Sequence, residues 1–251
     1  MKKLRLWAMI LCLCLLLCAC RTVPDKHAIP ADERMGTLED EDGADAFQSM
    51  LDHPDSRYYV INDYYGMESG GSLHILSHFE TYQQTTEYTC GCAAALMVLN
   101  RFGIQTYNEM EICDLAETDP NKGTSVEGLV SFFSQAGLRT EYHADTGYRF
   151  DTIEECEQFL TETIDSGLPV LVDWVDWQGH WQVIIGIDTM DADSPYDDVL
   201  IMADPYDITD HYQDGYYIVS FGRFFDMWRE GPCAGKAVPY EQPFIVVYPN
   251  A

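Results

Sequence analysis

The run Cys92-Ala93-Ala94-Ala95-Leu96-Met97-Val98-Leu99 is apolar on every side of a helix. Its residues are fair helix formers, and Gly103 supplies a stop. A helix without a polar face has to be buried, so the rest of the chain must provide layers that cover it. The approach to it, Gln83-Gln84-Thr85-Thr86-Glu87-Tyr88-Thr89-Cys90-Gly91, is polar. Thr89 reads as the N-cap, which places Cys90 in the first turn. Unpaired backbone N–H groups and the helix dipole favour a thiolate over a thiol at such a position. Cys90 is therefore a candidate nucleophile. Cysteine is also a small hydrophobe that is often simply buried, so the reading depends on partners elsewhere in the chain.

The N-terminus carries an address. Met1-Lys2-Lys3-Leu4-Arg5 precedes an apolar run from Leu6 to Ala19, the form of an export signal and too short for a comfortable membrane span. It ends Leu17-Cys18-Ala19-Cys20, which resembles the lipobox of bacterial lipoproteins. That resemblance implies removal of residues 1–19 and lipid on Cys20, anchoring the protein to the cell membrane facing outside the cytoplasm. An uncleaved anchor and ordinary secretion are the alternatives. Residues 20–56 are polar and acidic, with Glu33, Glu39, Asp40, Glu41, Asp42 and Asp45, and read as a flexible tether. Residues 57–251 then form a single domain, expected to act as a monomer.

Acidic side chains number 42 against 14 basic ones, a formal charge of −28. Such a chain is repelled by nucleic acid and by anionic lipid or cell-wall polymers, and attracts cationic peptides. Of nine cysteines, Cys12, Cys14 and Cys18 leave with the signal and Cys20 carries lipid, leaving Cys90, Cys92, Cys113, Cys156 and Cys233. No Cys-x-x-Cys pair suggests zinc. His74 and His78 would stand about 13 Å apart on a strand, too far to share a metal. No structural metal and no cofactor are expected.

Residues 58–61 and 72–76 read as short strands, followed by the apolar helix and by helices over 108–117 and 125–136. A strand over 138–142 and a helix over 152–164 come next. Runs 169–174, 181–187, 199–203 and 244–248 are β-rich, with 216–219 a weaker strand and 221–228 a short helix. Helices first and strands afterwards argue for an α+β domain, its nucleophile helix packed across a mostly antiparallel sheet.

A cysteine nucleophile needs a base, and the base an orienting group. His27 and His53 lie in the tether, His143 at a strand end and His211 in a polar loop. His180 differs: it opens a strongly apolar strand behind the turn Gln178-Gly179, held rigidly yet able to face a cleft. The alternative is a structural histidine beside Trp181. Asp204 directly follows strand 199–203, with Pro205 behind it, and could accept Nδ1–H from His180. Asp173, Asp176 and Asp188 are rivals on geometry. Gln84, six residues before Cys90, could join the Cys90 N–H in binding an oxyanion.

Gln84…Cys90-Gly91…Met97-Val98-Leu99, then Gly179-His180-Trp181-Gln182-Val183-Ile184, then Asp204-Pro205, resemble the C39-type papain-like cysteine peptidases. The likeness is greatest to the stand-alone C39-like peptidases of bacteria, and it runs from about residue 82 to 206. It implies a papain-like fold, a peptide or protein substrate, Cys90 as nucleophile, His180 as base, Asp204 as its orienter and Gln84 as oxyanion donor.

Cys92 departs from the pattern, standing where proline or a small residue is common. Two helical positions lie about 200° apart, so Cys90 and Cys92 cannot both face a cleft, and Cys92 is assigned to the core, with a partner in oxidation as the alternative. Residues 190–198 are extra length whose acids, Asp191, Asp193, Asp197 and Asp198, could hold Ca²⁺. They lack the glycine and distal Glu of an EF-hand loop, so a solvated acidic loop is expected. Trp174, Trp177 and Trp181 are read as core and left out of the site. Two other functions remain open. One is a different thiol acyl-transfer enzyme, either a cell-wall amidase or endopeptidase or a transpeptidase. The other is a surface peptide-binding module without catalysis.

Overall fold

The computed structural model describes residues 62–208 and 213–249. The expected signal, Cys20, the tether, the strand at 58–61 and His211 lie outside the described residues. The remaining elements follow in the expected order. They are β1 (Leu73–Ile75), α1 (Cys90–Arg101), α2 (Glu109–Leu115), α3 (Val126–Gln135), β2 (Arg139–Asp145) and α4 (Ile153–Asp165), then β3 (Val170–Trp174), β4 (His180–Asp188), β5 (Val199–Ala203), β6 (Tyr216–Ser220), α5 (Phe221–Met227) and β7 (Glu241–Tyr248).

Four helices begin at side-chain caps, among them α5, where Ser220 accepts from Arg223 N–H. Asn108 and Glu111 form a reciprocal capping box on α2, Ser125 accepts from Gly128 N–H on α3, and Thr152 accepts from Glu155 N–H on α4. The nucleophile helix is the exception. Thr89 occupies its N-cap position, but its side chain makes no cap hydrogen bond. The hydroxyl instead accepts from Thr86 N–H at 3.3 Å and bonds Glu109. No side chain therefore caps the first turn of α1.

The strands form one sheet in the order β2-β7-β3-β4-β5-β6, with every pairing antiparallel. β1 joins β4 opposite residues 186–188. There β5 already holds one edge of β4, so β1 extends the edge that β3 occupies nearer the strand's start. Gly186 permits this approach, since a Cβ there would lie 2.9 Å from the His74 carbonyl oxygen.

Both faces of the sheet are covered, so its strands read as continuous apolar runs rather than alternating ones. Leu171, Val183, Ile201, Ile245 and Val247 pack with α1, α2 and α3 in one cluster. Val170, Val172, Trp174, Ile184, Met202 and Phe244 pack with α4 and α5 in the other. From Cys90 to Leu99 every residue of α1 is buried, as its all-apolar surface requires.

Two expectations need correction. Asp198 is not solvated: it is buried, and burial with the charges of Glu157, Asp188 and Asp197 pushes its carboxyl up to about 6. Trp174 and Trp181 are core residues, but Trp177 is 57% exposed.

Candidate active site

Cys90 stands at the first position of α1, where the helix start meets the beginning of β4. Gly91 lets that turn settle: a Cβ on it would lie 2.9 Å from Thr124 Cβ and 3.1 Å from Trp181 Cδ1. Trp181 in turn donates Nε1–H to the Thr124 carbonyl at 2.8 Å. The first turn of α1 thus rests on a platform tied to β4. Cys92 points the other way, fully buried among Thr118, Thr124 and Cys113.

His180 opens β4 after a tight reversal. Trp177, Gln178 and Gly179 take φ of 51°, 75° and 135° in succession. Gly179 is required there on space as well, because a Cβ would stand 2.4 Å from Cys233 Sγ. Behind the reversal, His180 pairs with Trp174 of β3, so the backbone carrying the imidazole is part of the sheet.

The ring is 4% exposed, and its Nε2 lies 2.7 Å from Asp204 Oδ1. Sequence reasoning had the carboxylate on Nδ1; the structure puts it on Nε2. The thiol of Cys90 also hydrogen-bonds this ring. With Nε2 taken by Asp204, that bond falls to Nδ1. Burial works to lower the His180 pKa, but the Asp204 charge and hydrogen bond, with the contribution of Cys90, outweigh it and hold the ring well above the ordinary imidazole value.

Asp204 is itself fixed. Oδ1 also accepts Tyr206 N–H at 2.8 Å, and its own N–H donates to the Gly215 carbonyl at 2.8 Å. Of its rivals, Asp188 sits at the far end of β4, Asp176 lies in the reversal, and Asp173 accepts a hydrogen bond from the His180 backbone N–H.

Gln84 reaches this group through its backbone. Its N–H donates to the Pro205 carbonyl at 2.9 Å, while Gln83 Nε2 donates to the Asp204 carbonyl at 3.2 Å. The Gln84 side chain makes a local bond. Its Nε2 donates to the Thr86 carbonyl at 2.6 Å, and Oε1 is buried without a hydrogen-bond partner. One amide hydrogen remains for any further acceptor.

A cleft of about 330 Å³ opens over the thiol. Cys90, Asp173, Trp177, Trp181, Glu230 and Cys233 line it. Among the described residues, no group of His, Cys, Asp and Glu side chains is arranged to hold a metal ion.

The model of the Peptidase_C39 like family matches residues 76–232, more than half of the chain. The chain belongs to the Peptidase_C39 like family. Its α+β, papain-like fold is that of cysteine peptidases. Three solved structures are similar to it. One is the peptidase domain of Streptococcus ComA, a bi-functional ABC transporter involved in a quorum sensing pathway. It is 20% identical, with 69% of this chain and 100% of that one covered and a TM-score of 0.46. The second is a double glycine motif protease from an AMS/PCAT transporter, solved with a leader peptide. It is 14% identical, with 67% and 89% covered and a TM-score of 0.42. The third, the peptidase domain of Streptococcus mutans ComA, is 16% identical, with 67% and 98% covered and a TM-score of 0.37. No curated protein matches.

Sequence reasoning missed two residues of this C39-like site. Trp177 was assigned to the core, although its place one residue before the Gln178-Gly179 turn marked a loop tip. Glu109 of α2 is fully buried and holds the approach to Cys90. It accepts from Tyr82 Oη at 2.9 Å and from Thr85 N–H and Oγ1, each at 3.0 Å. No pattern in the sequence linked it to residues 82–89.

Proposed function

We propose that this protein is an exported cysteine peptidase, anchored by lipid on Cys20, that cleaves peptide bonds with Cys90, His180 and Asp204. Gln84 is the side-chain oxyanion donor. The observation that carries the reading is one buried imidazole held by Asp204 at Nε2, with the Cys90 thiol interacting with the same ring. A strongly basic ring in that position holds the proton of the thiol and leaves sulfur as the nucleophile.

The Cys90 thiolate attacks the peptide carbonyl carbon. The oxyanion that forms is met by the Cys90 N–H, at a helix start that no side chain caps. The remaining Gln84 amide hydrogen joins it, which requires a small swing of that side chain. His180 then gives its Nδ1 proton to the leaving amine, and the thioester forms. Water, deprotonated by the same nitrogen, attacks the thioester, releases the acid and restores the thiolate beside a protonated ring. Asp204 keeps the ring oriented and compensates its charge throughout.

The test is alkylation of Cys90 by iodoacetamide at pH 6, beside hydrolysis of a fluorogenic peptide library. Wild-type protein is expected to label at least about tenfold faster than His180→Ala, and to lose hydrolysis in Cys90→Ala. Equal labelling rates with no Cys90-dependent cleavage would leave a peptide-binding surface module. For the anchor, Cys20→Ser is expected to release the protein from the membrane fraction into the medium.

A further inference from the structure

Resting on the peptidase reading above, we infer that the cleft beside Cys90 is a subsite for a positively charged substrate side chain, a lysine or arginine flanking the scissile bond. Asp173 and the indole of Trp177 are its recognition groups.

The cleft wall holds two buried carboxylates, Asp173 and Glu230, and they are not equivalent. Glu230 is satisfied: Oε1 meets Lys236 Nζ at 2.8 Å, and Oε2 accepts Tyr240 N–H at 3.3 Å. Asp173 accepts from the His180 backbone N–H, and among the described residues no ion pair reaches it. Glu230 repels it, while His180 and Lys236 act on it from a distance. Lys236 is already committed to Glu230 and to the Tyr240 ring, where its Nζ sits 3.3 Å from the centroid. The His180 ring is matched by Asp204. Burial first, and Glu230 second, push Asp173 up to about 7, as expected of a carboxylate short of positive charge.

The other wall is Trp177. A large aromatic side chain that is more than half exposed would normally be turned inward. Its backbone φ of 51° belongs to a region non-glycine residues seldom adopt. An exposed indole lining the same cleft as a buried carboxylate short of positive charge makes a good receptor for an ammonium or guanidinium group. The ring supplies cation–π attraction, and the carboxylate supplies a charge-assisted hydrogen bond. Neutral side chains gain only the first wall and leave Asp173 uncompensated.

Binding tests this apart from turnover. The intact protein carrying Cys90→Ala is titrated calorimetrically with three alanine–serine octapeptides of otherwise identical sequence. One is N-acetylated with a single Lys, one N-acetylated with norleucine in its place, and one carries norleucine and a free N-terminus. The acetylated Lys peptide is expected to bind at least about tenfold more tightly than acetylated norleucine. Asp173→Asn, which keeps an acceptor for the His180 N–H, is expected to remove that difference while preserving norleucine affinity. Trp177→Ala is expected to weaken the Lys peptide more than norleucine. Equal affinities for Lys and norleucine would overturn the subsite. So would a Lys preference that survives Asp173→Asn, or a free-amine norleucine peptide that binds as tightly as the Lys one. Lys-selective binding without cleavage of these peptides by the wild type would refute the peptidase reading and leave the subsite standing.

Discussion

A single oxygen, Asp204 Oδ1, sets the proton inventory of the site. It accepts from the Tyr206 N–H and faces His180 Nε2, so its position does not depend on the ring it orients. The sign of its effect can be worked out. In the proposed mechanism the competent form carries a proton on His180, and it is lost as pH rises through the His180 pKa. Burial alone would lower that pKa; Asp204 is the strongest influence raising it. In wild type, activity is therefore expected to persist well above the ordinary imidazole range. Asp204→Ala is expected to move the alkaline limb of kcat/KM down toward or below the ordinary value of about 6.5. At pH 8 it is expected to reduce kcat/KM by about 10²-fold or more. A limb that stays in place would assign the raised pKa to another group. Which nitrogen does which task was not legible in the sequence. His180 as a strand-opening histidine and Asp204 as a strand-ending acid could be read from the flanking apolar runs. The choice of Nε2 over Nδ1 depends on ring rotation, which no local pattern encodes.

At the scale of elements, α1 is the piece with least freedom. Every residue of its first two turns is buried, and the contact at Gly91 leaves no room for a methyl group against Thr124 and Trp181. Gly91→Ala is expected to lift the first turn from its platform, at a cost of about 1–3 kcal/mol in stability. Because Cys90 is the neighbouring residue, kcat/KM is expected to fall more steeply than the urea-unfolding midpoint. Full activity with a normal midpoint would show that the turn can relax. The approach to α1 is organised by Glu109, whose carboxylate gathers Tyr82 and Thr85. Glu109→Ala strands the buried Thr85 N–H and is expected to cost about 1–3 kcal/mol, measured by urea unfolding. The strands and helices themselves were legible because burial and capping write themselves locally: an all-apolar run, an Asn-x-x-Glu box, a Ser or Thr before an amphipathic stretch. Glu109 was not, because its partners lie on a loop 24 to 27 residues earlier. Trp177 was misread for a related reason. Trp174 and Trp181, three and four residues away, are core, and only the positive-φ reversal between β3 and β4 turns the middle indole outward.

Across the whole molecule, charge is the property that structure adds least to and that reaches furthest. A formal charge of −28 sets up a field extending beyond any one contact. The cleft repeats that sign at short range, with Glu87, Glu117, Asp119, Asp173 and Glu230 against Lys122 and Lys236. These two contributions respond differently to salt, because exposed charges farther apart than about 10 Å are screened at 0.1 M ionic strength, whereas buried ones are screened far less. For a Lys-containing peptide, kcat/KM is therefore expected to fall several-fold between about 0.02 and about 0.5 M salt. The norleucine counterpart should be nearly unaffected. In Asp173→Asn the Lys-peptide kcat/KM should fall by a similar factor at every salt concentration and keep its slope, since the slope arises from the surface. A slope that vanishes with Asp173 would instead place all of the electrostatic selection in the cleft, and make the acidic surface a matter of solubility alone.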